Sequence, residues 1–187
     1  LMGEFEKNLK QALLKCDKLF FEKKYQNAID EYEKLLEDHP NLQIVLLRLA
    51  SINQTIGNFK NAINYFIKAS NLDIKNIELL NNVAHLYFHI NDHSSAKNFY
   101  KKSLDLKKDQ LVIIDFYIDC LNFLGMHKDI YNFLRDDIDK LPDNRFLNRI
   151  FGKSLIALNQ HKNGLGYLKK GSGFIVFQDE KIKYINR

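Results

Sequence analysis

The chain has 187 residues, 45% apolar and 27% charged, enough for one packed domain or a short repeat array with a well-solvated surface. Its formal net charge of +5 is dispersed, with Lys and Arg interleaved among Asp and Glu, which argues against a nucleic-acid binder that gathers its cations on one face. No apolar run reaches the roughly 18 residues of a membrane span and no signal peptide is read, so a cytoplasmic protein without a membrane span is expected.

Taken in chain order, apolar periodicity predicts helices over about 7–22, 25–38, 43–56, 59–72, 77–90, 93–107, 111–124, 127–140, 145–158 and 161–170. Two prolines and eight glycines leave these stretches largely unbroken. Cys16 and Cys120, the only cysteines, lie far apart within helical apolar patterns, so both are read as buried thiols and not as a metal or redox pair.

The helices repeat. Ala28, Ala62, Ala96, Ile130 and Gly164 stand at intervals of about thirty-four residues, the period of a helix–turn–helix repeat. In the same frame Cys16, Ala50, Ala84, Ile118 and Gly152 form a mostly small column. Tyr32, Phe66, Tyr100, Leu134 and Leu168 form a large apolar one. Small residues let paired helices approach, and the large ones fill the space between successive pairs. Gly57 and Gly125 precede two of the turns, and Pro40 and Pro142 follow two of the second helices, where proline ends a helix.

These columns resemble the tetratricopeptide-repeat (TPR) family over about residues 9–178, with repeats at 9–42, 43–76, 77–110, 111–144 and 145–178. The resemblance implies an all-α, right-handed superhelix of antiparallel helix pairs, an array occupying 1–178. The fourth and fifth repeats depart from the pattern. Ile118 and Ile130 fill small positions, and Asn148 stands where the family wants a large apolar side chain.

Gly171-Ser172-Gly173 is read as the stop of the last helix, with Gly171 as a left-handed cap. The apolar segment Phe174–Phe177 and the alternating residues 181–185 then give two readings for 171–187: a short non-helical tail or hairpin, or the start of a further domain. If Phe174–Phe177 is not folded back, self-association through this end is expected.

What the family resemblance implies about function is protein binding on a concave groove lined by first helices. Carried onto this chain, the groove residues are Arg48, Ser51, Asn81, Asn82, His85 and Phe88, followed by Asp115, Phe116, Asp119, Asn122 and Arg149. Amides bond a peptide backbone in both directions, and aromatic rings take its side chains. A protein or peptide partner is therefore expected, with neither nucleic acid nor any cofactor. The family's clamp for acidic chaperone tails is not expected, because the matching positions carry Leu13, Asp17, Arg48, Glu78 and Asn82, and Glu78 repels an acid. The spacing of His85 with His89 and of Asp115 with Asp119 raises a metal site, which is set aside in favour of ordinary groove polarity because metal sites demand tight geometry and support from the groups around their ligands. No nucleophile motif, phosphate loop or thiol cluster marks an enzyme. The alternative from another class is a non-catalytic TPR region of a larger enzyme whose catalytic domain follows Arg187.

Overall fold

The computed structural model describes residues 2–172, 175–178 and 181–184, with side chains over 7–172. The described residues form ten α-helices: α1 (Met2–Phe21), α2 (Tyr25–Asp38), α3 (Gln43–Thr55), α4 (Phe59–Leu72), α5 (Ile77–His89), α6 (His93–Leu106), α7 (Leu111–Phe123), α8 (His127–Leu134), α9 (Arg145–Ala157) and α10 (His161–Ser172). A 3-10 turn spans Ile138–Lys140, and two strands close the chain, β1 (Ile175–Gln178) and β2 (Lys181–Tyr184). Two compact units result, Leu1–Ile90 and Asn91–Arg187.

One backbone device turns each first helix into its second. Lys23, Gly57, Asn91, Gly125 and Asn159 all have positive φ, between 59° and 78°, and they stand at a constant spacing in the sequence. The next residue's N–H reaches back across the turn, as in Lys24 to the Leu19 carbonyl (2.9 Å), Asn58 to Asn53 (2.8 Å), Met126 to Leu121 (2.9 Å) and Gln160 to Leu155 (2.8 Å). This is the Schellman closure, which satisfies carbonyls that a helix end leaves open. Glycine is favoured at 57 and 125 by φ alone, since a Cβ at either would meet nothing within 4 Å.

In the first unit the core gathers Cys16, Ala28, Ile29, Tyr32, Val45, Leu49 and Ile52 from α1, α2 and α3. Tyr32 is fully buried, and its hydroxyl donates to Asp17 Oδ1 at 2.5 Å, so the one polar atom of the ring is satisfied. Ala50, Ala62 and Ala69 have no exposed surface, as close helix crossings require.

In the second unit α9 and α10 meet through glycines. A Cβ on Gly152 would lie 2.8 Å from the Gly164 carbonyl oxygen, and one on Gly164 would lie 2.8 Å from the Gly152 oxygen. Gly171 joins them: its Cβ would fall 2.5 Å from the Arg149 nitrogen and 2.8 Å from the Arg145 oxygen. This corrects the reading of Gly171 as a cap and of 171 as the start of the tail. The helix runs on to Ser172 because the glycine serves contact with α9, and its φ is not left-handed.

Three further differences have physical causes. α8 stops at Leu134, well short of 140, where Asp136 and Asp137 are poor helix residues and Asp137 is drawn to Lys140 (2.6 Å) and Lys108 (3.0 Å). The loosened turn places Ile138 in the core. Asn148 is completely buried and is held by the carbonyls of Leu141 (2.9 Å) and Asn144 (2.8 Å), so a polar side chain takes an apolar column by stitching the loop before α9 to the helix. Ile118 and Ile130 are also fully buried. At the end of the chain the hairpin reading holds: β1 and β2 are antiparallel, with Ile175 opposite Tyr184 and Gln178 opposite Lys181. The self-association expected of Phe174–Phe177 concerns side chains that lie outside the described residues.

Candidate functional site

The groove residues expected from sequence fall into one set in each unit. In the first, α3 supplies Arg48 and Ser51, and α5 supplies Asn81, Asn82, His85 and Phe88. A cavity of about 440 Å³ opens here, lined by Gln54, Phe59, Asn82, His85, Leu86 and His89. Phe59, from the start of α4, meets the His89 ring edge-on at 4.5 Å and forms one wall. Burial disfavours the charged imidazolium of His85 and lowers its pKa below the usual value, leaving a ring that donates with one nitrogen and accepts with the other. Arg48 is not among the lining residues; its Nε lies 3.3 Å from Asp17 Oδ1, so its charge is already partly matched.

In the second unit, Asp115, Phe116, Asp119 and Asn122 lie on α7 and Arg149 on α9. Val112, Asp115, Phe116, Asp119 and Phe146 line a cavity of about 290 Å³. Asn144 does two things beside it. Its Oδ1 caps α9 by accepting the Leu147 N–H at 3.0 Å, and its Nδ2 donates to Asp115 at 3.2 Å. Phe116 stacks on Tyr100 at 5.8 Å, which fixes the ring that floors the cavity. Both carboxylates have raised pKa values because burial penalises their charge. The Asn144 hydrogen bond opposes this at Asp115, and the charges of His93 and Arg149 oppose it at Asp119.

Phe59 and Phe146 are cavity walls that the sequence-derived set omits. Phe146 had a signal, since it occupies the second position of its thirty-four-residue frame, a groove position in the family. Phe59 had a different one. It shares a thirty-four-residue column with Tyr25, His93, His127 and His161, so every member carries a flat ring at the start of a second helix. Three of these rings pack on another ring: Tyr25 lies against Phe20 at 5.7 Å, Phe59 against His89, and His93 stacks on Phe123 at 4.3 Å, whereas His127 Nδ1 lies 3.4 Å from Ser154 Oγ.

Cys16 and Cys120 are buried, and burial pushes the Cys120 thiol up to about 12, far from a reactive thiolate. Among the described residues no group of three or more His, Cys, Asp and Glu side chains is placed to hold a metal ion, and no helix is long and apolar enough to cross a membrane.

Antiparallel helix pairs on a constant frame, with polar and aromatic cavities on the first helices, define an all-α helical-repeat protein. The tetratricopeptide-repeat family model matches residues 45–75 and 77–110. Residues 45–75 and 77–110 thus match tetratricopeptide repeats in sequence, and the chain as a whole shares the fold of solved tetratricopeptide-repeat structures. A comparison with curated proteins found no match. Among solved structures the chain is similar to MamA, at 20% identity and a TM-score of 0.65, over 88% of this chain and 90% of that one. It is similar to YrrB, described as a TPR protein with an unusual peptide-binding site, at 15% identity and a TM-score of 0.65, over 84% and 81%. It also resembles the first TPR of Spaghetti (RPAP3), solved with the HSP90 peptide SRMEEVD, at 22% identity and a TM-score of 0.50, over 62% of this chain and 94% of that one.

Proposed function

We propose that this chain is a protein-interaction module that takes an extended or helical peptide segment of its partner on the first-helix faces of its repeats. The observation that carries the reading is a cavity on that face in each unit, walled by rings and edged by groups that bond a peptide backbone. Asn82 and His85 offer donors and acceptors in the first unit. Phe116 and Phe146 offer an apolar seat in the second, beside carboxylates that favour a cationic or donor side chain. The peptide-binding site named for YrrB and the peptide bound to the Spaghetti (RPAP3) repeat support this use of the fold. The acidic tail bound by the latter does not suit this face, since Glu78 stands at a clamp position and Asp115 and Asp119 line the second cavity.

The test begins with capture of partners from a lysate and mapping of the bound segment. Its affinity is then measured against substituted chains. Asn82→Ala or Phe116→Ala should lose about 1–3 kcal/mol, as truncated interface anchors commonly do, with the melting temperature nearly unchanged. Lys68→Ala and Lys102→Ala, on second helices, should bind like the parent. The reverse pattern would move the interface off the first helices and leave the fold assignment standing.

A further inference from the structure

Away from the first-helix cavities, the second unit holds a larger one of about 540 Å³ between α8 and α10, floored by Phe151 and Leu155 of α9. Its origin lies in one residue. Of the three glycines within α10, Gly164 and Gly171 are forced by backbone contact with α9, whereas a Cβ on Gly166 would meet nothing within 4 Å. Glycine weakens a helix interior, so the fold gains nothing from it there. The equivalent column residues are Asp30, Asn64, Asn98 and Asn132, whereas Gly166 lines the cavity with no side chain and open space beside its Cα.

The charged side chains that line the cavity are all cations, and two of the three already meet a carboxylate outside the lining: Arg135 Nε lies 3.7 Å from Asp136 Oδ1 and Lys170 Nζ 3.2 Å from Asp139 Oδ1. Arg135, Lys162 and Lys170 border the cavity, and no Asp or Glu lines it. Two of the cations are laid over rings: the Arg135 guanidinium lies 5.9 Å from the centre of Tyr131, and the Lys170 ammonium 4.6 Å from that of Tyr167. Tyr131 stacks on Phe151 at 5.9 Å, and Phe151 meets Tyr167 at 4.8 Å in a T-shaped contact. The ring faces are therefore engaged by cations and by one another, which leaves a nucleobase little to stack on. What remains on offer is the ammonium of Lys162 and the unused donors of Arg135 and Lys170 over an apolar floor, with the amides of Gln160 and Asn163 at the rim.

The chain shows what this rim accepts. Asp139, from the 3-10 turn, takes the Tyr167 hydroxyl at 2.9 Å and the Lys170 ammonium at 3.2 Å, and these hold its carboxyl below the usual range. Lys162 makes no ion pair among the described residues. We infer that this cavity is a second binding site that accepts an acidic peptide segment, an apolar side chain seated over Phe151 and Leu155, one flanking carboxylate on Lys162 and others sharing Arg135 with Asp136 and Lys170 with Asp139. The argument for that occupant is charge complementarity. It goes beyond the first-helix reading and stands or falls separately from it.

The test is fluorescence anisotropy with a fluorescein-labelled peptide of sequence Glu-Glu-Leu-Glu-Glu, against a Lys-Lys-Leu-Lys-Lys control and a single-stranded oligothymidylate of matched charge. Lys162→Glu with Arg135→Glu should weaken the acidic peptide by about tenfold or more, because attraction becomes repulsion. Gly166→Asn, which restores the column residue into open space, should weaken it by about fivefold or more while the helix is kept. Amide shifts of Asn163 and Gly166 should move on titration while those of Asn82 do not, and Phe116→Ala should bind as the parent does. Unchanged affinity in the Gly166→Asn and charge-reversed chains overturns the proposal, as does oligothymidylate binding as tightly as the acidic peptide.

Discussion

The helix pairs α3/α4 and α9/α10 solve one packing problem with different residues. In α3/α4 the small columns carry Ala50 and Ala62, both fully buried. In α9/α10 the same columns carry Gly152 and Gly164, whose backbones lie so close that a Cβ on either would stand 2.8 Å from the other's carbonyl oxygen. An alanine crossing keeps helix propensity and leaves a methyl layer between the backbones. A glycine crossing gives up propensity at two positions in exchange for backbone contact. The last helix pair is therefore held by shape more than by intrinsic helicity, and it should be the more easily broken of the two.

The largest break is at Gly171, where the obstacle to a side chain is the backbone of Arg145 and Arg149 and cannot swing aside. Gly171→Leu should destabilise the chain by about 3 kcal/mol or more, read from urea or thermal unfolding by circular dichroism. Gly166→Ala in the same helix should do the opposite and stabilise by about 0.5–1 kcal/mol, since propensity improves with no clash. Equal signs at the two positions would sink the account of α10. Next in size is Ala62→Leu, which forces a branched side chain into an alanine crossing with no free volume and should lose about 1–3 kcal/mol. An inert Ala62→Leu would mean that the columns do not mark helix contacts.

Those columns carried most of the fold. Helix positions were legible because small and large residues recur on a constant frame, and the observed ends of α2 and α4 fall at the predicted 25–38 and 59–72. Gly171 misled because Gly-Ser-Gly looks the same whether it ends a helix or packs inside one; only the proximity of α9 decides. Asn148 looked like a flaw because its partners, the carbonyls of Leu141 and Asn144, are made by the fold. The shortening of α8 was hidden for a similar reason, since Ile138 suits a helix pattern as well as a 3-10 turn. Site residues were legible as positions on first helices, but their grouping was not: Asn82 and His85 share one cavity and Asp115, Phe116 and Asp119 another, while Arg48 is turned to Asp17. The cavity at Gly166 escaped because second-helix surfaces read as solvated, and a side chain's absence carries no pattern of its own.

A smaller effect separates the turns. Gly57 and Gly125 adopt positive φ freely, whereas Lys23 holds φ 59° against its own Cβ. Lys23→Gly should therefore stabilise by about 0.5–1 kcal/mol net of the extra unfolded-state entropy, and Gly125→Ala should destabilise by about 1 kcal/mol. Chemical denaturation of the two variants checks both signs.

The finest contrast is in how the two first-helix cavities respond to pH. Burial works against charge in each, but the groups differ in sign. His85 has a folded pKa below its ordinary 6.5, so as pH falls through that value the unfolded chain takes up the proton first and stability is lost toward acid. Asp115 and Asp119 have folded pKa values above the ordinary 3.8, so the folded chain keeps its protons longer. Stability is lost there as pH rises from 3.8 through the raised folded values, and the deficit persists at neutrality. Urea midpoints across these ranges test both slopes. His85→Gln should flatten the decline from near neutrality down through pH 6.5, while Asp115→Asn, whose amide oxygen can still accept from Asn144, should gain on the parent as pH rises above 3.8. If Asp115→Asn instead lost ground at neutral pH, its carboxylate would be a stabilised charge, and the cavity in the second unit would be a wetter, less selective place for a peptide side chain than its apolar walls imply.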